Sequence, residues 1–263
     1  MNRLDKYLVE HGFAPSRERA RLAVDSGLVK INGTVAGKSS ATVRDGDLIE
    51  YQNPLKFVSR GGLKLAKALH EFEIDFQGMR VLDIGSSTGG FTDCALQNGA
   101  SLVFAVDVGK DQLHPDLKNH TGVRSMEQTD IRDLRLEQLD NAPCDYVVAD
   151  VSFISLQHLL PKLSDFLSMK GKLILLIKPQ FEAGRNFVGK GGLVKDPKVH
   201  ERIIAELFHA AGKSGFFAEA ICYAPLVKGK NIEYLVLVGR KDAPLPDYVK
   251  VVESAFNNYA ALT

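Results

Sequence analysis

The sequence predicts a doubly wound, Rossmann-like α/β sheet preceded by a small α+β unit, and three observations carry that expectation. Beyond residue 58, apolar runs of strand length alternate with amphipathic stretches of helix length, the order that builds a parallel sheet covered by helices on both faces. Within the first such pair, VLDIGSSTGGFTD sets a glycine turn between a buried strand and a helix. Residues 3 to 51 follow another pattern, with two short helices and a few short strands. A chain of 263 residues has room for a small module beside a larger domain. The expected division is 1–53, a linker at 54–58 around Pro54, and 59–263.

In the front unit, Leu4, Tyr7 and Leu8 stand at helical spacing, and the helix stops near Gly12. Ser16 is placed to cap a second helix over Arg17 to Asp25, with Gly27 just past its end. In VKINGTV, Asn32-Gly33 between β-branched residues signals a hairpin. A last strand, Leu48 to Tyr51, follows the Asp45-Gly46 turn. In the larger unit the expected strands are 81–84, 102–107, 146–150 and 173–177, with helices at 91–97, 156–167 and 198–212. Strands at 217–223 and 233–238 are expected to add an antiparallel edge hairpin.

Composition excludes several classes. Hydrophobic residues at 45% and charged residues at 25% are those of a folded globular chain and not of a disordered one. Net charge is +1, but residues 1–60 hold ten Lys or Arg against seven Asp or Glu, while the remainder holds 23 against 25. Cys94, Cys144 and Cys222 are widely spaced with no CxxC pair, which argues against a zinc site or a disulfide framework and fits a reducing compartment. No metal is expected. The opening MNRLDKYLVEHG lacks the apolar stretch of an export signal, and the longest apolar runs fall short of a bilayer span. A cytoplasmic, non-membrane protein is expected, with a monomer favoured.

The glycine turn gives the first functional expectation. Backbone N–H groups at a helix start cradle a ligand, and here Asp83, Gly85, Ser86, Ser87, Thr88, Gly89, Gly90 and Phe91 form the strand-to-helix corner. Ser87 stands where a dinucleotide-binding GxGxxG motif has its second glycine, the point of closest approach to a pyrophosphate. S-adenosylmethionine has no pyrophosphate, so that demand relaxes. Asp107, about twenty residues on, is placed for the ribose hydroxyls of an adenosine, and Asp130, beside Ile131, adds another carboxylate. An anionic rim suits a cofactor that carries a sulfonium and an ammonium.

Four further polar residues sit at strand or helix ends: Lys64 in SRGGLKL, Asp150 in VVADVSF, Lys178 in LILLIKPQF and Glu233 in GKNIEYLVL. Lys178 follows five apolar residues and precedes Pro179 at the C-terminal edge of the expected sheet, where such folds bind ligands. Between Gln180 and Pro197, EAGRNFVGKGGLVKD carries Arg185, Lys190 and Lys195 and reads equally as a phosphate-touching loop or as an ordinary glycine-rich surface loop.

In these segments the chain resembles the TlyA family, which joins an RNA-binding domain of the ribosomal-protein S-four type to a methyltransferase domain of the FtsJ type. At the front the similarity rests on RLDKYLVEHGFAPSRERARLAVDSGLVKINGTV; further on it rests, in order, on KFVSRGGLKL, DIGSSTGGFTD, VVADVSFISL, LIKPQFE and NIEYLVL. The resemblance implies a Lys-Asp-Lys-Glu catalytic tetrad at Lys64, Asp150, Lys178 and Glu233. It implies S-adenosylmethionine as cofactor, with Asp150 also beside it, and 2′-O-methylation of cytidines in ribosomal RNA or ribosomal subunits. RNA contacts are implied for Arg3, Lys6, Arg17, Arg19, Arg21, Lys30 and Arg60. The glycine loop reads GSSTGG, where many FtsJ-type enzymes carry a proline-containing version; this loosens the match to FtsJ itself.

A ribose hydroxyl is a poor nucleophile, so the chemistry needs a group that holds it in line and favours loss of its proton. A neutral Lys178 could take that proton, and a charged one could orient the oxygen and stabilise negative charge. Lys64 favours the neutral amine, while Asp150 and Glu233 favour the ammonium, so the sequence leaves both roles open. Three other readings compete. A non-catalytic ribosome-assembly factor predicts a broken tetrad. A membrane-active haemolysin, a label some family members carry, needs export. A nicotinamide oxidoreductase leaves the four-residue set unexplained.

Overall fold

The computed structural model describes residues 2–14, 16–25, 27–44, 46–51 and 56–262. The chain divides into two compact units, Met1–Lys56 and Phe57–Thr263. Linker residues 54 and 55 and the turn residue Asp45 lie outside the described residues.

In the front unit, strand β1 (Asn2–Arg3) leads into helices α1 (Leu4–Glu10) and α2 (Arg17–Asp25), followed by β2 (Val29–Ile31), β3 (Thr34–Val35), β4 (Thr42–Val43) and β5 (Ile49–Tyr51). The Ser16 hydroxyl accepts from the Arg19 backbone N–H at 3.3 Å, as an N-cap should. Strands β2 and β3 pair across a two-residue loop, with Asn32 at φ 52° and Gly33 at φ 77°, the left-handed pair a type I′ hairpin turn requires. Strand order is β3-β2-β5, with β1-β4 as a separate pair. Leu4 and Leu8 of α1 meet Ala20, Ala23 and Val24 of α2 and Val29 of β2 in a small core.

The larger unit is built on a seven-stranded sheet, ordered β11-β12-β10-β9-β6-β7-β8. Its strands are β6 (Arg80–Ile84), β7 (Leu102–Val106), β8 (Val123–Met126), β9 (Cys144–Ala149), β10 (Leu167–Ile177), β11 (Phe217–Tyr223) and β12 (Tyr234–Gly239). Neighbours from β10 to β8 run parallel, and β12 pairs antiparallel with both β10 and β11, so the edge hairpin is present. Side chains alternate between two cores as strand geometry dictates. Leu173, Leu175 and Ile177 of β10 join one core, and Ile174 and Leu176 join the other. Helices α6 (Leu160–Leu163), α8 (Pro197–Lys213) and α9 (Tyr248–Ala260) cover the first face, while α3 (Gly61–Glu71) and α4 (Gly90–Gln97) cover the second. Short helices α5 (Pro115–Lys118) and α7 (Pro179–Glu182) complete the set.

One expected element changes character. The helix expected at 156–167 is a broken path: a 3-10 turn at Leu156–His158, α6, and a second 3-10 turn at Ser164–Phe166. Pro161 lacks an N–H and its ring crowds the preceding turn, so a single helix cannot run through. From Leu167 the chain is already strand, and β10 starts six residues before the expected Leu173, with an irregular register between Leu167 and Lys172. All three cysteines are buried thiols outside any disulfide, and burial pushes the Cys144 and Cys222 thiols up to about 12. No helix among the described residues is long and apolar enough to cross a membrane.

Candidate active site

Parallel strands deliver their C-terminal ends to one edge of the sheet, and the loops there form the site. β6 ends at Ile84 and the chain turns through Gly85 to enter α4 at Gly90. Two glycines are required by close approach. Gly85 has φ 76°, and a Cβ there would lie 2.8 Å from the Asp150 carbonyl oxygen. A Cβ on Gly90 would overlap the Ser59 hydroxyl and lie 2.8 Å from the Gly62 nitrogen. The Asp150 N–H donates to the Ile84 carbonyl at 3.0 Å, so the ends of β6 and β9 are locked side by side. At the end of β7, the Asp107 carboxylate accepts from the Ser87 N–H at 2.8 Å and from the Gly109 N–H at 2.7 Å, which ties the glycine corner to the neighbouring strand.

Two cavities meet at this edge. One, of about 730 Å³, is lined by Gly85, Ser87, Asp107, Asp130, Ile131 and Asp150 among the expected cofactor residues. Val108, Val151, Ile154 and Leu159 give it apolar walls. Asp130 is held below the usual carboxylate range by Arg132, whose side chain and backbone N–H both donate to it. The second cavity, of about 430 Å³, is lined by Ser86, Thr88, Gly90 and Phe91, by Arg60, and by all four tetrad residues. Gly85, Ser87, Asp150 and Ser152 form the wall the two share. Gly89 and Asp83 line neither.

The tetrad is one alternating chain of charges. Glu233 Oε2 lies 2.7 Å from Lys64 Nζ, Lys64 Nζ lies 3.7 Å from Asp150 Oδ2, and Asp150 Oδ1 lies 2.5 Å from Lys178 Nζ. Lys178 Nζ also donates to Ser152 Oγ at 2.8 Å. Lys178 occupies this place because β10 runs apolar to Ile177 and Pro179 opens α7 immediately after it. All four side chains are at most 23% exposed, so removing one takes an ion-pair partner from a poorly solvated neighbour.

The family described as FtsJ-like methyltransferase matches residues 57–241, and the S4 domain matches residues 2–49. The chain belongs to the FtsJ-like methyltransferase family. The Bacillus subtilis protein YqxC, named provisionally as an rRNA methyltransferase, is 42% identical over 262 residues, covering 96% of this chain and 93% of its own length. The 16S/23S rRNA (cytidine-2'-O)-methyltransferase TlyA of Mycobacterium tuberculosis is 39% identical over 237 residues, covering 89% of this chain and 88% of its own. Among solved structures, a Streptococcus thermophilus protein described provisionally as a hemolysin superposes with a TM-score of 0.78 at 38% identity, covering 99% of this chain and 98% of that one. The combination of S4 and FtsJ-like domains is that of the TlyA group which the sequence resembles.

In the S4 unit, three of the arginines expected to meet RNA converge on one carboxylate. Asp5 is fully buried and accepts from Arg3 at 3.1 and 3.2 Å, from Arg17 at 2.8 Å and from Arg21 at 3.4 Å. The Arg3 hydrogen bond holds the Asp5 carboxyl well below its ordinary range, against the opposing effect of burial. Each arginine stays about half exposed, so the cluster is anchored beneath and open above. Lys6 pairs with Glu10 at 3.3 Å and Lys30 with Glu50 at 3.5 Å; Arg19 lies on α2.

Several residues at the FtsJ-like site had no sequence signal of their own. Ser152 is one. Phe153 is another: 90% exposed, in the left-handed region at φ 66°, with its ring 4.9 Å from that of Phe181. An exposed aromatic face at a cavity mouth is a surface on which an unstacked base can rest. Asn231 lines the tetrad cavity and pins the glycine-rich loop, accepting from the Val194 N–H at 2.9 Å and donating to the Gly192 carbonyl at 2.8 Å.

Asp83 lies wholly buried at the end of β6. One oxygen accepts from Thr92 Oγ1 at 2.6 Å, and the other has no partner among the described residues. Burial pushes its carboxyl up to about 7; the Thr92 hydrogen bond opposes this, and the charges of Asp150 and Asp107 add to it. An acid raised in the folded state takes up a proton on folding between pH ~4 and ~7, so stability falls as pH rises through that window. Asp83→Asn keeps the acceptor for Thr92 and removes the titration. The melting temperature of this variant is expected to vary less between pH 4 and 7 and to exceed wild type at pH 8, by up to roughly 3–4 kcal/mol in stability. Parallel melting profiles for the two proteins would contradict this.

Proposed function

We propose that this chain transfers the methyl group of S-adenosylmethionine to the 2′-hydroxyl of a cytidine ribose in ribosomal RNA in the cytoplasm, with its S4 unit anchoring the RNA. One observation carries the reading: the four-charge chain lines one cavity and, through Asp150, reaches the wall that this cavity shares with the larger one, so a group reaching in from one side meets a group held on the other.

The larger cavity fits S-adenosylmethionine in its donor set. Asp107 and Asp130 offer carboxylate lone pairs to ribose hydroxyls and the adenine edge, Ile131 and Leu159 offer apolar surface, and Gly85, with no room for a Cβ beside the Asp150 carbonyl, adds backbone to the lining. When bound, this cofactor supplies an electrophilic methyl group on a sulfonium. Asp150, at the shared wall, favours a cation on either side of it.

The tetrad cavity takes the ribose. Lys178 meets the 2′-hydroxyl and either accepts its proton or stabilises charge on its oxygen. Glu233 holds Lys64, and Asp150 spans Lys64 and Lys178, so the carboxylates act on the hydroxyl through the lysines they aim. The intact tetrad favours catalysis over RNA binding alone. Incubating the protein with ribosomal RNA and methyl-labelled cofactor, then hydrolysing in alkali, tests the reading. A 2′-O-methyl group removes the internal nucleophile, so label is expected in alkali-resistant dinucleotides. Label in mononucleotides would place the methyl on a base, and an absence of label would leave the RNA-binding assembly factor.

A further inference from the structure

We propose that Ser152 is a positioning residue for Lys178, fixing the direction in which the amine presents itself to the ribose hydroxyl. The inference rests on the reading of Lys178 as the group that meets that hydroxyl. Lys178 Nζ is tetrahedral and ends a chain of four rotatable carbon–carbon bonds, so one contact with Asp150 leaves it free to swivel. A second acceptor, Ser152 Oγ at 2.8 Å, removes that freedom. With one hydrogen given to Ser152 and the amine held against Asp150 by the ion pair, the side of the amine away from both is the direction left. If charged it points an N–H there, and if neutral it points its lone pair. Ser152 lies on the wall common to both cavities, so the remaining direction is used where they meet.

The backbone around Ser152 is held at a cost. Phe153 adopts φ 66°, a conformation that bulky residues occupy only when their surroundings insist on it. The surroundings here are the segment that carries Lys178. The Phe153 ring packs on Phe181 of α7, three residues beyond Lys178, while Ser152 bonds Lys178 itself. Two adjacent residues of the turn after β9 thus clasp two points of the segment after β10, and the strained turn presents the hydroxyl to the amine.

Single-turnover methyl transfer to ribosomal RNA, measured for Ser152→Ala, Ser152→Thr and Lys178→Ala, tests the proposal, with cofactor affinity and melting as controls. Ser152→Ala is expected to lose about 10- to 100-fold in rate, the scale on which small misplacements of reacting groups act, and to change cofactor affinity far less than rate. Ser152→Thr, which keeps the hydroxyl, is expected to recover most of the rate. A Ser152→Ala rate within twofold of wild type beside an inactive Lys178→Ala overturns the role of Ser152 alone. Equal losses in the Ala and Thr variants show that shape and not the hydroxyl matters, and overturn it too. Wild-type rates in both alanine variants defeat the Lys178 reading beneath it.

Discussion

Lys178→Ala is expected to lower the rate of methyl transfer by about 100-fold or more, the usual loss when a general base or a charge stabiliser is removed, while cofactor affinity stays near wild type. The separation follows from where the side chain lies. Lys178 lines the tetrad cavity and not the larger one with Asp107, so its work is done on the hydroxyl. Asp150→Ala and Glu233→Ala should also slow transfer, but their losses should not add to that of Lys178, since all belong to one chain of ion pairs. Rapid-quench transfer with each single and double variant measures this. Additive losses would mean that the carboxylates act independently of the lysines.

Gly85→Ala is expected to damage cofactor binding and catalysis together. Its φ of 76° costs a residue with a side chain about 1–2 kcal/mol, and the new Cβ would stand 2.8 Å from a backbone oxygen, that of Asp150, which has no flexible end to yield. The strand ends must part, moving Ser87 and Asp150, which line both cavities. Cofactor affinity is expected to fall at least about tenfold, equivalent to 1.4 kcal/mol, and transfer further still. Gly212→Ala is the control. That glycine lies in α8, where a Cβ would meet nothing within 4 Å, and alanine there should leave affinity unchanged and the helix slightly more stable. Calorimetry on both variants decides the matter; equal affinities would remove the Gly85 corner from the cofactor site.

Much of this was legible in the sequence because it is local. The Asn32-Gly33 hairpin, the Ser16 cap and the alternation along β10 and β12 follow from neighbours in the chain. The four tetrad residues could be singled out because each interrupts or borders an apolar run at the sheet edge, although their distances could not. What escaped depends on contacts between distant segments. The start of α3 carries two adjacent glycines, Gly61 and Gly62; a Cβ on Gly62 would overlap the Phe57 side chain, and Gly90 of α4 packs so close to the pair that a Cβ on it would lie 2.8 Å from the Gly62 nitrogen. Asp5 carries no signal of its own in the sequence, and only the fold buries it among three arginines. Ser152 and Phe153 gained their meaning only when the turn after β9 met the segment after β10.

The claim that this chain is a ribosomal RNA 2′-O-methyltransferase is tested most directly by mapping 2′-O-methyl groups across ribosomal RNA from cells that lack the protein, cells that express it and cells that express Lys178→Ala. The account predicts at least one cytidine methylated with the wild-type protein and unmethylated in the other two. Identical maps in all three, or a site that Lys178→Ala still modifies fully, would contradict it.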